Sequence, residues 1–430
     1  MLMKKLKDSN ISWIGMIPED WSLIRGKYLF AQKSERGNDI CLQLLSPTQR
    51  YGVIPQSLYE ELTGMNAVKL KENVDLESLK TIHKGGFCIS LRSFQGGFEY
   101  SEYEGVVSPA YQVFYPIKRI ESRYYKYLFK DSSFVEKMNS YTMSLRDGKN
   151  IAFDDFGNTI IPVPPIKVQE QISNYLDQKC NEIEDLISDL QGQIDILEQY
   201  RRSVITESVT HGLNADSKKI DSGISWIGMI PEDWSLIRGK YLFAQKSERG
   251  NDICLQLLSP TQRYGVIPQS LYEELTGMNA VKLKENVDLE SLKTIHKGGF
   301  CISLRSFQGG FEYSEYEGVV SPAYQVFYPI KRIESRYYKY LFKDSSFVEK
   351  MNSYTMSLRD GKNIAFDDFG NTVIPVPPIR EQVIIANYLD QKCGFVDKLI
   401  SDIQKQIDVL INYKKSIIYE YVTGKKEVPA

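Results

Sequence analysis

Two short polar segments carry the side chains best suited to gripping a base or a phosphate. The first runs Leu91-Arg92-Ser93-Phe94-Gln95-Gly96-Gly97-Phe98. Its glycines free the backbone, Arg92 and Gln95 present forked donors, Ser93 adds a hydroxyl and Phe94 a stacking face. Arginine pairs bidentately with guanine, and glutamine with adenine, in the major groove. The second segment, residues 141–150, sets Arg146 and Lys149 among hydroxyls, with Tyr141 and Asn150 at its ends. That mixture suits a loop touching both phosphates and base edges. Both segments recur, as Arg305, Ser306, Phe307 and Gln308 and as Tyr354, Arg359, Lys362 and Asn363. These are the candidate DNA-binding residues. Any one of them, taken alone, also reads as a solvated side chain on a hairpin turn.

Reaction chemistry is not legible. The chain has no glycine-rich strand-to-helix loop for S-adenosylmethionine and no Asn-Pro-Pro-aromatic motif. Pro164-Pro165 and Pro377-Pro378 lack the asparagine and the aromatic ring, so they read as structural. No GxxxxGK[ST] phosphate loop is present. Zinc, protease and hydrolase signatures are missing too. Three histidines are too few for an imidazole-built metal centre. Six cysteines without a CxxC pair suggest reduced thiols in a cytoplasmic protein. No catalytic residue, cofactor site or metal site is therefore expected in this chain. No run of about eighteen uncharged apolar residues suggests a membrane span, and the N-terminus lacks the apolar core of a signal peptide. With 53 basic and 55 acidic residues the net charge is −2. A DNA binder that is basic overall is excluded, and the placement of charge matters more than its sum.

The elements that must position these loops come in two copies. Residues 11–159 recur without one change as residues 224–372, which is 149 identical positions at a shift of 213. That period is far longer than the roughly 20–50 residues of a solenoid repeat, so it marks a duplicated domain. Each copy opens with Trp13-Ile14-Gly15-Met16-Ile17-Pro18-Glu19-Asp20-Trp21, whose tryptophans are expected to pack on the core. Strand-like runs follow at 40–45, 87–91 and 111–115, separated by Gly, Pro and Asp clusters. Residues 122–141 read as one helix.

Each copy ends in a long helix announced by a Pro-Pro pair, which is tolerated in a first turn. Ile183, Ile187, Leu190, Ile194 and Leu197 in the first helix keep a three-four spacing. Val396, Ile400, Ile403, Ile407 and Leu410 keep it in the second. This is a coiled-coil seam. Arg201 and Lys414 interrupt it at the same register, a device that sets alignment. An apolar seam is unstable in water alone, so the two helices are expected to pack on each other, antiparallel. About 44 residues at roughly 1.5 Å each give a rod of about 65 Å.

The strings Trp13 to Pro18 with Trp21, then Ile161-Pro162-Val163-Pro164-Pro165-Ile166, Gln169-Glu170-Gln171-Ile172 and Tyr175-Leu176-Asp177, resemble the specificity subunit of a type I restriction-modification system. Ile374 to Ile379, Arg380-Glu381-Gln382 and Tyr388-Leu389-Asp390 repeat the pattern, so the resemblance covers essentially the whole chain. It implies an α+β chain in which two mixed α/β target recognition domains, residues 1–163 and 213–376, are joined by spacer helices at 164–212 and 377–430. The helices would form an antiparallel coiled coil with pseudo-twofold symmetry. Expected partners are double-stranded DNA, two modification (methyltransferase) subunits and restriction subunits. S-adenosylmethionine, ATP and Mg would belong to those partner subunits. In this family the two domains usually differ; here they are identical, which points to an inverted-repeat target. The alternative is a two-headed protein-interaction scaffold without nucleic acid, separable by whether duplex binding depends on salt.

Overall fold

The computed structural model describes residues 5–36, 43–65, 78–89, 97–142, 151–249, 256–278, 291–302, 310–355 and 364–429, with the side chains of Thr142 and Thr355 left aside. The chain divides into two compact units, one of Met1–Leu190 with Lys405–Ala430 and one of Gln191–Gln404. Each unit thus combines one copy of the repeat with a part of both long helices.

In unit 1 the chain forms β1 (Leu6–Asp8), β2 (Met16–Pro18), β3 (Ser22–Arg25) and β4 (Phe30–Gln32). A hairpin follows, β5 (Leu45–Thr48) and β6 (Gly52–Pro55), then α1 (Gln56–Thr63). Next come β7 (Lys80–Ile82), β8 (Phe87–Ile89), β9 (Phe98–Tyr100), β10 (Gly105–Val107) and β11 (Gln112–Pro116). Helices α2 (Ser122–Leu128), α3 (Ser132–Thr142) and α4 (Phe153–Asn158) and strand β12 (Ile160–Val163) complete the domain. The main sheet is antiparallel in the order β4-β11-β8-β9. Successive strand residues face opposite sides. Phe87 and Ile89 of β8 and Phe114 of β11 therefore join one core, while Cys88 and Val113 join a second, smaller one. The larger core is mostly aromatic: Phe30, Phe98, Phe129, Phe134 and Phe156 surround the Phe87–Phe114 stack, whose centroids are 5.3 Å apart. Trp21 is buried in it, and Trp13 packs edge-on against Phe134 at 5.6 Å.

Two expectations need correction. The helix expected over 122–141 is two helices, broken at 129–131. Asp131 is the cause, because its carboxylate accepts from the backbone N–H of Ser133 at 3.0 Å and Phe134 at 3.3 Å. An aspartate in that position starts a new helix. Of the strand expected at 40–45, residues 40–42 lie outside the described residues, and the strand found beyond them is Leu45–Thr48.

The long helices are Ile166–His211, of 46 residues, and Ile379–Val422, of 44. In unit 1, Ile172, Leu176, Cys180 and Ile183 from the start of the first share a core with Ile417, Ile418, Tyr421 and Val422 from the end of the second. In unit 2, Ile205 and Val209 from the end of the first meet Ile385, Ala386, Leu389 and Cys393 from the start of the second. Start meets end both times, so the pairing is antiparallel. Ile183, Ile194, Val396, Ile400 and Ile407 are buried, and Ile187, Leu190, Leu197, Ile403 and Leu410 are half-buried, as a two-helix seam requires. The charged interruptions of the seam are paired. Arg201 donates to Asp397 at 2.7 Å within unit 2, and Lys414 pairs with Glu184 within unit 1. A shift of 213 turns Glu184 into Asp397 and Arg201 into Lys414, so each bridge is the other with its helices exchanged.

Candidate nucleic-acid interface

Arg92, Ser93, Phe94, Gln95, Arg146, Lys149 and Asn150, with copies Arg305, Ser306, Phe307, Gln308, Arg359, Lys362 and Asn363, lie outside the described residues. Their anchor points are described, and they converge. Ile89 and Phe98 form the last pair of β8 and β9, so residues 90–97 connect these strands at one end of the sheet. Gln112, at the same end of β11, pairs with Ile89. The Gln112 amide donates to the Ile151 carbonyl at 2.9 Å and accepts from the Phe153 N–H at 2.9 Å. It therefore clamps the point where the second segment, residues 143–150, re-enters the fold. The other end of that segment is held by Tyr141, whose hydroxyl bonds Thr159 Oγ1 at 3.1 Å, with the Lys137 ammonium 4.3 Å from its ring centroid. The first loop and the return end of the second thus spring from one end of one sheet. Unit 2 repeats the clamp through Gln325, which bonds Ile364 and Phe366 at 2.9 Å. Tyr354 repeats the anchor on Thr372 at 3.1 Å.

Positive charge gathers at this end despite the near-neutral total. The β4 chain continues past the sheet end, with the Lys33 N–H bonded to the Val113 carbonyl at 3.0 Å. It then reaches Arg36, which bridges to Lys80. The Lys80 ammonium donates to the Tyr111 carbonyl at 2.7 Å. Partial burial, and then the neighbouring Arg36, lower its pKa from the usual lysine value. Sequence patterning did not single out Arg36, Lys80 or Gln112, because pairings across about forty residues leave no local signal.

Charged groups around the sheet brace it. Glu99, next to the first loop, is almost fully buried and takes both Lys130 hydrogen bonds at 2.7 Å. Burial outweighs the lysine and raises its carboxyl pKa to about 7. His83 bonds Glu104 at 2.7 Å and Glu35 at 2.9 Å, and those two carboxylates raise its pKa. The described cysteines Cys88, Cys180, Cys301 and Cys393 are free and buried. Among the described residues no cluster of three His, Cys, Asp or Glu could hold a metal ion, and no helix is long and apolar enough to cross a membrane.

The strings that carried the sequence resemblance lie elsewhere, at the joint between domain and helix. Gln169 accepts from the Glu121 N–H at 2.9 Å and donates to the Pro164 carbonyl at 2.8 Å. Asp177 accepts from the Tyr127 hydroxyl at 2.6 Å and from Arg123 at 2.9 Å. The buried Tyr124 hydroxyl donates to the Val422 carbonyl at 2.7 Å, tying in the second helix. Gln382, Asp390 and Tyr337 make the same contacts in unit 2, the last to Val209 at 2.9 Å. The duplicated strings thus mount each head on the long helices.

A head of this build, present twice and mounted on antiparallel helices, defines a class of recognition proteins. The sequence model of the type I restriction modification DNA specificity domain matches residues 49–194 and 262–413. The chain belongs to that family, and is a non-catalytic DNA-recognition subunit of the type I restriction-modification kind. Among its relatives, the type I restriction enzyme MjaVIII specificity subunit of Methanocaldococcus jannaschii is 25% identical over 325 residues, spanning 70% of each chain. The EcoBI specificity subunit of Escherichia coli is 20% identical over 329 residues, covering 71% of this chain and 66% of its own. In fold, the chain is similar to one in a structure described as the structural basis of complex assembly and conformational transition of the type I R-M system. The TM-score is 0.68 at 14% identity, covering 95% of this chain and 99% of that one.

Proposed function

We propose that this chain steers a type I restriction-modification assembly to a bipartite DNA target whose two halves form an inverted repeat. In this reading residues 1–163 and 213–376 are the reading heads, and residues 164–212 and 377–430 are the spacers. The loop residues around Arg92, Gln95, Arg146 and Lys149, with their copies, contact the duplex. Two modification subunits, supplied with S-adenosylmethionine, methylate adenine in each half. Restriction subunits, supplied with ATP and Mg, cut the DNA. All of this takes place in the cytoplasm, where the DNA is.

One observation carries the reading: the heads are identical at 149 consecutive positions. Identical heads have identical base preferences, and paired equivalent heads favour a palindromic target. Helices of roughly 65 Å limit the whole target to about 19 base pairs, taking about 3.4 Å per pair. The test is to co-express the chain with its modification subunit and map methylated adenines. An inverted repeat with an unread gap supports the proposal, and an asymmetric target overturns it. If duplex DNA is ignored at every salt concentration even with modification subunits present, the two-headed scaffold reading takes over.

A further inference from the structure

We infer that the β5–β6 hairpin is a third DNA-reading element, with Arg50 and its copy Arg263 as specificity-determining residues. The inference rests on the DNA-reading role proposed above and adds an element that the sequence patterning did not mark.

The hairpin is a two-stranded antiparallel ribbon whose last pair is Thr48 with Gly52, leaving Gln49, Arg50 and Tyr51 as its tip. A two-stranded ribbon is one of the shapes that the major groove admits. The tip is rigid. Thr48 Oγ1 accepts from the Tyr51 N–H at 3.0 Å and donates to the Gly52 carbonyl at 3.0 Å. Gly52 closes the turn at φ +71°, a left-handed conformation suited to glycine. A Cβ there would stand 2.6 Å from the Tyr100 carbonyl of β9, so the ribbon is seated on the sheet by backbone. Unit 2 has the same turn, with Thr261 bonds of 3.0 Å and Gly265 at φ +71°.

Three features give this tip a reading role. Gln49 and Arg50 are exposed, and both are forked donors. Among the described residues no carboxylate pairs with Arg50; its guanidinium lies 5.2 Å from the Tyr51 ring centroid, and that of Arg263 lies 5.4 Å from Tyr264. Stacking of this kind orients the planar fork without using up its donors. The tip also lies at the sheet end where the first loop starts and the second returns. Thr48, Arg50, Tyr51, Tyr59 and Tyr111 line one cavity of about 440 Å³. Tyr111 precedes the Gln112 clamp and holds the Lys80 ammonium. Hairpin tip, loop anchors and cations therefore form one surface.

The test compares methylated motifs for the complex of the chain with its modification subunits, wild type against Arg50→Ala, Arg50→Lys and Arg50→Ala with Arg263→Ala. A bidentate base contact is worth about 1–3 kcal/mol of discrimination, or about 5- to 150-fold. Arg50→Ala should relax one base position in one half-site by that factor and leave the other half intact, so the target turns asymmetric. The double variant should relax both halves equally. Arg50→Lys should behave like alanine, since it keeps the charge and loses the fork. An unchanged motif at wild-type methylation overturns the inference and leaves the DNA-reading role standing. A uniform loss of affinity rescued by lysine, with a salt slope smaller by about one, makes Arg50 a phosphate contact and also overturns it. A wild-type complex that methylates no duplex overturns the role itself, and the inference with it.

Discussion

The ends of the two long helices offer a perturbation with a built-in control. Each helix closes on a left-handed glycine, Gly424 at φ +71° and Gly212 at φ +74°. Each glycine packs under the same Pro and Trp of a head, Pro18 and Trp21 in unit 1 and Pro231 and Trp234 in unit 2. Alanine in a left-handed conformation costs about 1–2 kcal/mol in either place. The surroundings then separate the two. At Gly424 a Cβ would meet Pro18 Cγ at 2.8 Å and Trp21 Cη2 at 2.9 Å, both in rigid rings of a packed core. Overpacking of that kind adds about 1–3 kcal/mol. At Gly212 the close atom is Glu381 Oε1 at 2.8 Å, the far end of a flexible side chain, with the Trp234 ring back at 3.3 Å. Gly424→Ala should therefore cost about 2–5 kcal/mol and Gly212→Ala about 1–2 kcal/mol. Amide hydrogen exchange can resolve this, because helix peptides differ between copies where head peptides do not. Peptides covering 417–424 in Gly424→Ala should lose protection by about 30- to several-thousand-fold, at about 1.4 kcal/mol per decade. Those covering 205–212 in Gly212→Ala should lose about 5- to 30-fold by the same conversion. Equal losses, or a larger loss at Gly212, would refute the argument that the rigid rings set the cost.

Other consequences are as direct. Tyr124→Phe should destabilise unit 1 by about 1–3 kcal/mol, since it leaves the buried Val422 carbonyl without its donor; Tyr337→Phe should match it in unit 2, and urea unfolding checks both. His83 is raised in pKa by Glu35 and Glu104, so its clamp is fully present below the unfolded histidine pKa of about 6.5 and is lost as pH rises through the higher folded value. Exchange around Glu35 and Glu104, and in their copies Glu248 and Glu317, should accelerate over that window, and His83→Gln with His296→Gln should remove the pH dependence. Ile196 and Tyr200 are 65% and 46% exposed, and their copies Val409 and Tyr413 are 66% and 51% exposed. If the modification subunits of the proposed assembly dock on these exposed helix positions, Tyr200→Ser with Tyr413→Ser should weaken their capture by about tenfold or more while moving stability by no more than about 0.5 kcal/mol per site; unchanged capture in a pull-down would refute docking there.

The sequence revealed its large-scale order because that order repeats. A duplication, two Pro-Pro starts and a seam at three-four spacing are visible without any tertiary contact, and the structure keeps the antiparallel pairing they imply. The head was less legible. Its strands are three to five residues long, too short for alternation to stand out, and β8 is buried on both sides. The split at Asp131 was hidden because Leu128 and Val135, seven residues apart, keep a helical apolar spacing across the break. Around the proposed interface, sequence patterning picked out two segments by their composition and missed what anchors their ends. Gln112 reads as an ordinary strand polar residue until its amide is seen holding Ile151 and Phe153. Arg50 reads as a turn residue until Tyr111 places the hairpin at the same sheet end.

The two copies also show which parts of the joint are demanded by chemistry. The helices have diverged, yet Gln169 and Gln382, Asp177 and Asp390, and the charge pairs at 184 with 414 and 397 with 201 keep their contacts. Seam positions keep only their apolar character, as Leu190 against Ile403 shows, because an apolar seam accepts many shapes where a buried hydrogen bond accepts few. One polar contact did change. Trp234 Nε1 donates to Glu381 at 3.0 Å, while Trp21 Nε1, facing Val168 at the equivalent position, has no partner and is buried. A buried unsatisfied N–H costs about 1–3 kcal/mol, so Val168→Glu should stabilise unit 1 by rebuilding the contact that unit 2 already has. If unfolding of the variant shows no gain, burial of the new carboxylate has offset the hydrogen bond. The pKa of Glu381, raised chiefly by its own burial, shows that this opposing cost is present in the native pair.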